Sequence, residues 1–141
     1  MARERTLAMI KPDVVKKNVL GAVFTAIEEA GLQPVALRRA QLSKSQAEGF
    51  YAVHRQRPFF GELTDFMSSG PALLMVLEGE DAIRRWRELL GATNPAEAAE
   101  GTLRQRFGTN IQCNGFHGSD APETAAFEIG YLFPGMDLVP A

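Results

Sequence analysis

Short apolar runs alternate with amphipathic segments along this chain, and that alternation limits the possible folds most strongly. Residues 6–10 are largely apolar and stop at Lys11-Pro12, which predicts a buried strand. Residues 72–77 are six consecutive apolar residues and predict another, and residues 34–42 predict a third. The predicted element order is β-α-β-α-α-β-α-α. A small sheet with helices on one face fits this order better than a Rossmann domain, because the elements are short and no Gly-rich crossover is present.

The helices are predicted from the spacing of their apolar residues and from signals at their ends. The segments with helical spacing or end signals are residues 21–30, 59–67, 80–90 and 122–133. Ser43 and Gln46 predict a capping box at the start of a further helix. Trp86 is predicted to face inward, and Ser119 or Asp120 to cap the last helix.

Composition excludes several classes of protein. The 141 residues suit one domain, residues 1–141. A single cysteine, Cys113, rules out an internal disulfide scaffold and a Cys-rich zinc site. The net charge of -2, from 15 basic and 17 acidic residues, argues against strong nucleic-acid binding. No apolar run is long enough for a signal peptide or a membrane span, so a cytoplasmic location is expected.

One segment carries candidate chemistry. Residues 114–120 (NGFHGSD) place His117 among small and polar residues at the mouth of the last predicted helix. Neutral imidazole is a good nucleophile near pH 7, and a helix N-terminus favours phosphate. Glu128, on that helix, could orient the ring. The alternative is a polar loop that only caps the helix. Walker-type and dinucleotide-binding glycine motifs are absent from the sequence.

Residues 114–120 resemble the active-site signature of nucleoside diphosphate kinases. Further blocks resemble the same family in the same order: residues 5–7, 10–13, 50–60, 66–71, 77–79, 91–95 and 101–104. The resemblance implies a ferredoxin-like α+β sandwich, in which a four-stranded antiparallel sheet of βαββαβ order is covered by helices. It also implies that the fourth strand leads into His117. The implied activity is transfer of the γ-phosphate of a nucleoside triphosphate to a nucleoside diphosphate.

The resemblance further implies a ping-pong mechanism through a phosphohistidine on His117. Broad base and sugar tolerance and maintenance of nucleoside triphosphate pools follow from the same likeness. The cations matched to phosphate contacts are Lys11, Arg87 and Arg104. The residues matched to the rest of the nucleotide are Thr93 at phosphate, Asn114 at sugar and phosphate, Phe59 under the base, and Leu63 and Ile111 as apolar walls. The residues matched to positions around the nucleophile are Tyr51, Ser119 and Glu128.

Without the resemblance, each of the three cations would be interpreted as ordinary surface, and Leu63 and Ile111 as core. Mg²⁺ is expected to arrive with the nucleotide phosphates, so no protein metal ligand is predicted. Structural roles are expected for His54, as a hydrogen-bonded residue, and for Cys113, as a buried and inert thiol. Phe116 is bulkier than the family pattern, and either packs into the core or narrows the site.

The apolar tail, residues 133–140, predicts docking on a neighbouring subunit. A homo-oligomer is therefore expected, with a tetramer favoured over a hexamer by the resemblance to bacterial members. Two other functions remain open. One is a nucleotide-binding regulatory module that keeps the fold without the chemistry, and the other is a nucleic-acid-binding protein on a ferredoxin-like sheet.

Overall fold

The structure is a computed structural model that describes residues 3–140; Met1, Ala2 and Ala141, the ends of the predicted 1–141 domain, lie outside the described residues. Four strands form its sheet: β1 (Arg3–Ile10), β2 (Gln33–Ala40), β3 (Ala72–Glu80) and β4 (Phe116–Gly118). The helices are α1 (Pro12–Val15), α2 (Leu20–Glu29), α3 (Lys44–Phe50), α4 (Phe60–Met67), α5 (Ala82–Leu90), α6 (Leu103–Phe107) and α7 (Pro122–Leu132). Short 3₁₀ turns span Ala52–His54, Pro95–Glu97 and Gly135–Asp137.

The sheet order is β2-β3-β1-β4, and every neighbouring pair is antiparallel. The predicted four-stranded antiparallel sheet is therefore confirmed. The periodicity of the sequence contained no signal for β4, because three residues are too few for an alternation to appear. The resemblance did imply a fourth strand there, and His117 lies within it, paired with Met9 of β1.

Helices cover both faces of the sheet, so the prediction of helices on one face was wrong. Side chains alternate along β1, with Leu7 and Met9 on one face and Ala8 and Ile10 on the other. The first face packs against α3, α4 and α7, and the second packs against α2, α5 and α6. Both faces of β1 and β3 are thus buried, which explains why these strands are continuous apolar runs.

Most predicted helix boundaries agree with the structure within two residues. The capping box of α3 is confirmed, since Ser43 Oγ accepts from Gln46 N and Gln46 Oε1 accepts from Ser43 N. The predicted cap of α7 was wrong. Thr124 Oγ1 accepts from the backbone N–H of the N-cap residue, Ala121, and donates to Asp120 Oδ1. Ser119 instead serves the candidate site described below.

Strand β3 extends three residues beyond the predicted apolar run. Its polar end continues the ladder beside β1, where Arg5 Nε donates to Glu78 Oε1 at 2.9 Å. No helix among residues 3–140 is long and apolar enough to cross a membrane.

Candidate active site

The imidazole of His117 is held by a carboxylate from the last helix. His117 Nε2 lies 2.9 Å from Glu128 Oε1, and the same oxygen accepts a hydrogen bond from Ser119 Oγ at 2.7 Å. The side chain of His117 remains 19% exposed, whereas Ser119 is 1% exposed. Since an ionised carboxylate only accepts, Nε2 carries the proton and Nδ1 keeps its lone pair. No described residue hydrogen-bonds to Nδ1.

The hydroxyl of Ser119 makes two hydrogen bonds. Its Oγ accepts from the backbone N–H of Leu7 at 3.2 Å while it donates to Glu128. A buried hydroxyl whose proton is already donated is poorly placed to attack a substrate. The structure therefore fits the predicted supporting position of Ser119 beside His117.

Aromatic rings surround the imidazole on the same side of the sheet. Phe50 meets the His117 ring edge-on at a centroid distance of 5.3 Å, and Tyr51 does so at 6.2 Å. The Tyr51 hydroxyl is buried and has no hydrogen-bond partner among the described residues. Burial, and then the charge of Glu128, raise the pKa of Tyr51, which keeps its hydroxyl a neutral donor. An unpaired buried donor beside His117 is costly unless a ligand or water satisfies it.

Lys11 follows directly after β1 and is buried. Its Nζ donates to Asn114 Oδ1 at 2.9 Å, which joins two predicted site residues 103 positions apart. Burial, and then the charge of Arg104, lower the pKa of Lys11 to about 8, although Asp13 and Cys113 oppose the shift. A buried ammonium with this little compensation is suited to an anionic ligand.

Arg104 extends the positive region. Its Nη1 and Nη2 donate to the backbone oxygens of Gly91 and Phe116, at 3.0 and 2.9 Å. Burial and the charge of Arg87 lower the pKa of Arg104 to about 10. The charge of Arg87 in turn lowers the pKa of Asp120, as does that of His117, after the larger effect of the Thr124 hydrogen bond. The positive charges of Lys11, Arg104 and Arg87 therefore lie close enough together to act on one another in sequence, Lys11 with Arg104 and Arg104 with Arg87.

A cavity of about 630 Å³ opens beside Lys11 and lies within the size range of small-molecule sites. Six predicted nucleotide-binding residues line it: Lys11, Phe59, Leu63, Thr93, Ile111 and Asn114. Phe59 and Ile111 are 46% and 55% exposed, so Ile111 is not a core residue. Two exposed apolar side chains on one cavity are suited to a flat ring held between them.

His117 and Arg104 are outside the lining of that cavity, and Arg87 lines a separate cleft with Gly91 and Asp120. Ring contacts connect the cavity to His117. Phe59 lies 5.7 Å from the ring of His54, which stacks on Tyr51 at 6.4 Å, and Tyr51 contacts His117. The imidazole of His54 therefore makes ring contacts, and the expected hydrogen bond to its side chain is not found among the described residues.

Comparison with known proteins identifies the family. The sequence profile described as Nucleoside diphosphate kinase matches residues 4–138. The chain belongs to the nucleoside diphosphate kinase family. Its enzyme class is therefore phosphotransferase, acting on nucleotides.

Bacterial relatives and solved structures agree with this assignment. The chain is 59% identical over 135 residues to a nucleoside diphosphate kinase of Desulfovibrio desulfuricans, covering 96% of this chain and 97% of the relative. It is 59% identical over 139 residues to one of Brucella canis, covering 99% of each. The Aquifex aeolicus nucleoside diphosphate kinase structure superposes with a TM-score of 0.96 at 46% identity, over 98% of this chain and 100% of that one. The structure of a Halobacterium salinarum nucleoside diphosphate kinase in complex with CDP superposes with a TM-score of 0.94 at 38% identity, over 99% of this chain and 93% of that one. The ferredoxin-like α+β fold is confirmed.

Several side chains near the candidate site of this nucleoside diphosphate kinase differ from their predicted positions or were missed. Cys113 is half-buried on the cavity wall, so the expectation of a buried thiol was wrong. Phe116 packs fully into the core and does not narrow the site. Glu62 and Gln112 also line the cavity. Glu62 could have been found from its helix position beside Leu63, whereas Gln112 lies in a loop without periodicity.

The donor groups of the site are compatible with a divalent cation that the nucleotide phosphates also ligate. Among residues 3–140, no three carboxylate, imidazole or thiol groups are close enough together to hold a metal ion. The polar groups that line the cavity are one ammonium, two amides, one hydroxyl, one thiol and a single carboxylate, that of Glu62. Mg²⁺ binds a few carboxylates together with substrate phosphates and waters, so this donor set suits an ion ligated by the nucleotide itself.

Proposed function

We propose that this chain transfers the γ-phosphate of a nucleoside triphosphate to a nucleoside diphosphate through a phosphohistidine on His117. The observation that carries the proposal is the contact of Glu128 Oε1 with His117 Nε2 at 2.9 Å. That contact fixes the tautomer and directs the nucleophilic role to Nδ1, which has no partner among the described residues.

In the first half-reaction the Nδ1 lone pair forms a bond to the γ-phosphorus. The bond between that phosphorus and the bridging oxygen breaks, and the oxygen leaves with its electron pair as part of the nucleoside diphosphate. Glu128 stabilises the positive charge that develops on the imidazole. In the second half-reaction a terminal oxygen of another nucleoside diphosphate attacks the same phosphorus, and the electron pair returns to Nδ1.

The cations would neutralise the phosphate groups during both steps, because charge spreads over the equatorial oxygens in phosphoryl transfer. Lys11, Arg104 and Arg87 are assigned this role. The assignment is supported by the proximity of Arg104 to both other cations, since the charge of Arg104 lowers the pKa of Lys11 and that of Arg87 lowers the pKa of Arg104. Thr93 is assigned as a hydroxyl donor to phosphate, and Asn114 as a contact to the sugar hydroxyl and phosphate. Mg²⁺ bound with the nucleotide would add charge neutralisation between the phosphate groups.

The base would lie between Phe59 on one side and Leu63 and Ile111 on the other. Stacking uses a π-face that every base has, so broad base tolerance is expected. The complex of the Halobacterium relative with CDP supports a nucleoside diphosphate as a ligand of this chain. The Tyr51 hydroxyl is assigned a supporting role near His117, as is Ser119.

The remaining parts of the proposal concern setting and assembly. We propose one domain over residues 1–141, a homo-oligomer with a tetramer favoured, a cytoplasmic location and a role in maintaining nucleoside triphosphate pools. The apolar tail supports assembly, since Met136 and Val139 are 88% and 64% exposed in the single chain.

Incubation with γ-labelled ATP tests the chemistry. We expect one label on His117 that is labile in acid and stable in alkali, and parallel double-reciprocal lines with two substrates. His117→Gln should abolish the label and turnover while nucleotide binding persists. Ser119→Ala should keep the label. An acid-stable label that survives in His117→Gln would contradict the proposal and make Ser119 the first alternative nucleophile.

A further inference from the structure

A tryptophan on the opposite face of the sheet from the imidazole holds the backbone of His117. Trp86 Nε1 donates to the backbone oxygen of His117 at 3.0 Å. Trp86 is fully buried in the core that packs on the opposite face from the imidazole. The imidazole is therefore held from one face by Glu128, and the peptide group that carries it is held from the other.

Two neighbours of His117 strengthen this contact. The Phe116 ring meets Trp86 edge-on at a centroid distance of 6.4 Å. A Cβ at Gly118 would lie 2.7 Å from Trp86 Cδ1, so the glycine permits the indole to approach the strand this closely. Trp86 thus touches three consecutive positions of β4, the strand that carries the nucleophile.

The contact matters because β4 is short and lies at the edge of the sheet. It has three residues and pairs with β1 alone, so backbone pairing by itself restrains it weakly. A shift of this strand would move Nδ1 relative to a phosphate held by other elements. Misplacement by about 1 Å can cost a large factor in rate for a reaction that depends on positioning.

We propose that Trp86 is a positioning residue for phosphoryl transfer. Its hydrogen bond to the His117 backbone oxygen fixes the position and orientation of the His117 imidazole relative to the bound phosphate. This inference rests on the proposed function of His117. It assigns Trp86 no contact with substrate. The same helix also carries Arg87, so α5 links the nucleophile to one proposed phosphate contact.

The test replaces only the indole N–H. Trp86 is the one tryptophan of the sequence, so residue-specific incorporation can install β-(3-benzothienyl)alanine, in which sulfur replaces the N–H, without changing any other site. Single-turnover labelling of His117 by γ-labelled ATP is then compared with the natural protein. The expected loss of rate constant is between about 2-fold and 13-fold, the range for one neutral hydrogen bond. Nucleotide affinity should stay within about twofold, since no binding contact is changed.

Three further proteins separate positioning from stability. Incorporation of 5-fluorotryptophan, which keeps the N–H, should restore the natural rate. Trp86→Phe repeats the loss by ordinary mutagenesis and keeps a ring near Phe116. Ile27→Ala removes buried apolar volume of α2 from the same core and should lower the thermal midpoint without slowing the labelling.

An unchanged labelling rate in both the sulfur analogue and Trp86→Phe would overturn the positioning role, while the proposed function would stand. Equal slowing in Ile27→Ala would also overturn it, because general loss of stability would then account for the effect. Failure of the natural protein to label His117 would refute the proposed function and, with it, this inference.

Discussion

Replacing Lys11 by Met should make the protein more stable and less active. Lys11 is buried, and its ammonium has one hydrogen bond, to Asn114 Oδ1. The cost of that buried charge is visible as a pKa lowered from 10.5 to about 8. Met has a similar length, is apolar and adapts to irregular spaces, so it removes the charge without opening a large cavity.

The magnitude follows from the pKa of Lys11. A lowering from 10.5 to about 8 corresponds to about 3 kcal/mol of stability lost at pH 7. The substitution also leaves Asn114 Oδ1 without its partner, which costs about 1 kcal/mol. The net gain is about 2 kcal/mol, and for a chain of this size the thermal midpoint should rise by about 6–10 °C. Loss of a charge-assisted phosphate contact should lower kcat/KM by about 10- to 200-fold.

The pH dependence of the stability difference between the natural protein and Lys11→Met is an independent check on the sign of the predicted stabilisation. Between about pH 8 and pH 10.5 the unfolded chain keeps a proton on Lys11 that the folded chain has lost. The stability of the natural protein therefore rises with pH in that interval relative to the variant. The advantage of Lys11→Met should be full below about pH 7 and nearly gone at about pH 10.

Urea unfolding at matched protein concentration, from pH 7 to pH 10, measures this difference. Lys16→Met is the matched control, because Lys16 is exposed and the change should stay within about 0.5 kcal/mol. Groups that do not interact with the charge of Lys11 titrate equally in both proteins and cancel, so the difference reports Lys11 together with its charged neighbours. A Lys11→Met protein that is less stable at pH 7, or an advantage that does not shrink by pH 10, would refute the reasoning.

Three further results are expected. Arg104→Ala should lower kcat/KM by about 10- to 200-fold, whereas Arg84→Ala, which breaks only exposed ion pairs, should stay near the natural value; equal kinetics would place the phosphate site elsewhere. Phe59→Ala should raise KM by about 5- to 150-fold, and the factor should be alike for purine and pyrimidine nucleoside diphosphates. An effect on one base only would contradict stacking. Light scattering should give an oligomer that Met136→Glu with Val139→Glu weakens; a monomeric mass for the natural protein would refute the assembly.

Periodicity predicted the helices and the long strands because their signal is local. The buried runs of β1 and β3 and the capping box of α3 could all be read from neighbouring residues. The fourth strand could not, because its three residues gain their conformation from pairing with a distant part of the chain. The second helical layer was missed for a similar reason: apolar residues on both faces of a strand do not show which helices cover them.

The site residues also divide into those with a local sequence signal and those that meet only through the fold. His117, Glu128 and Ser119 could be proposed as neighbours from a short segment and one helix. The meeting of Lys11 with Asn114 could come only from the family resemblance, since chemistry alone does not bring together residues so far apart in sequence. Nothing in the sequence pointed to Trp86 beneath His117, because its hydrogen bond depends on how a helix packs against an edge strand.

The apolar cores on the two faces of the sheet have a consequence for how this enzyme can change over evolution. His117 and Glu128 lie on the face of the sheet that packs against α3 and α7, whereas Arg104 comes from α6 on the opposite face. Lys11 directly follows β1, a strand that both faces share. The proposed reaction therefore depends on side chains that reach the site from both faces of one shared sheet. A conservative substitution deep in either core can shift one layer of helices relative to the sheet by a fraction of an ångström. We expect such drift to slow turnover well before it unfolds the chain, so selection on rate would preserve packing in residues far from any nucleotide.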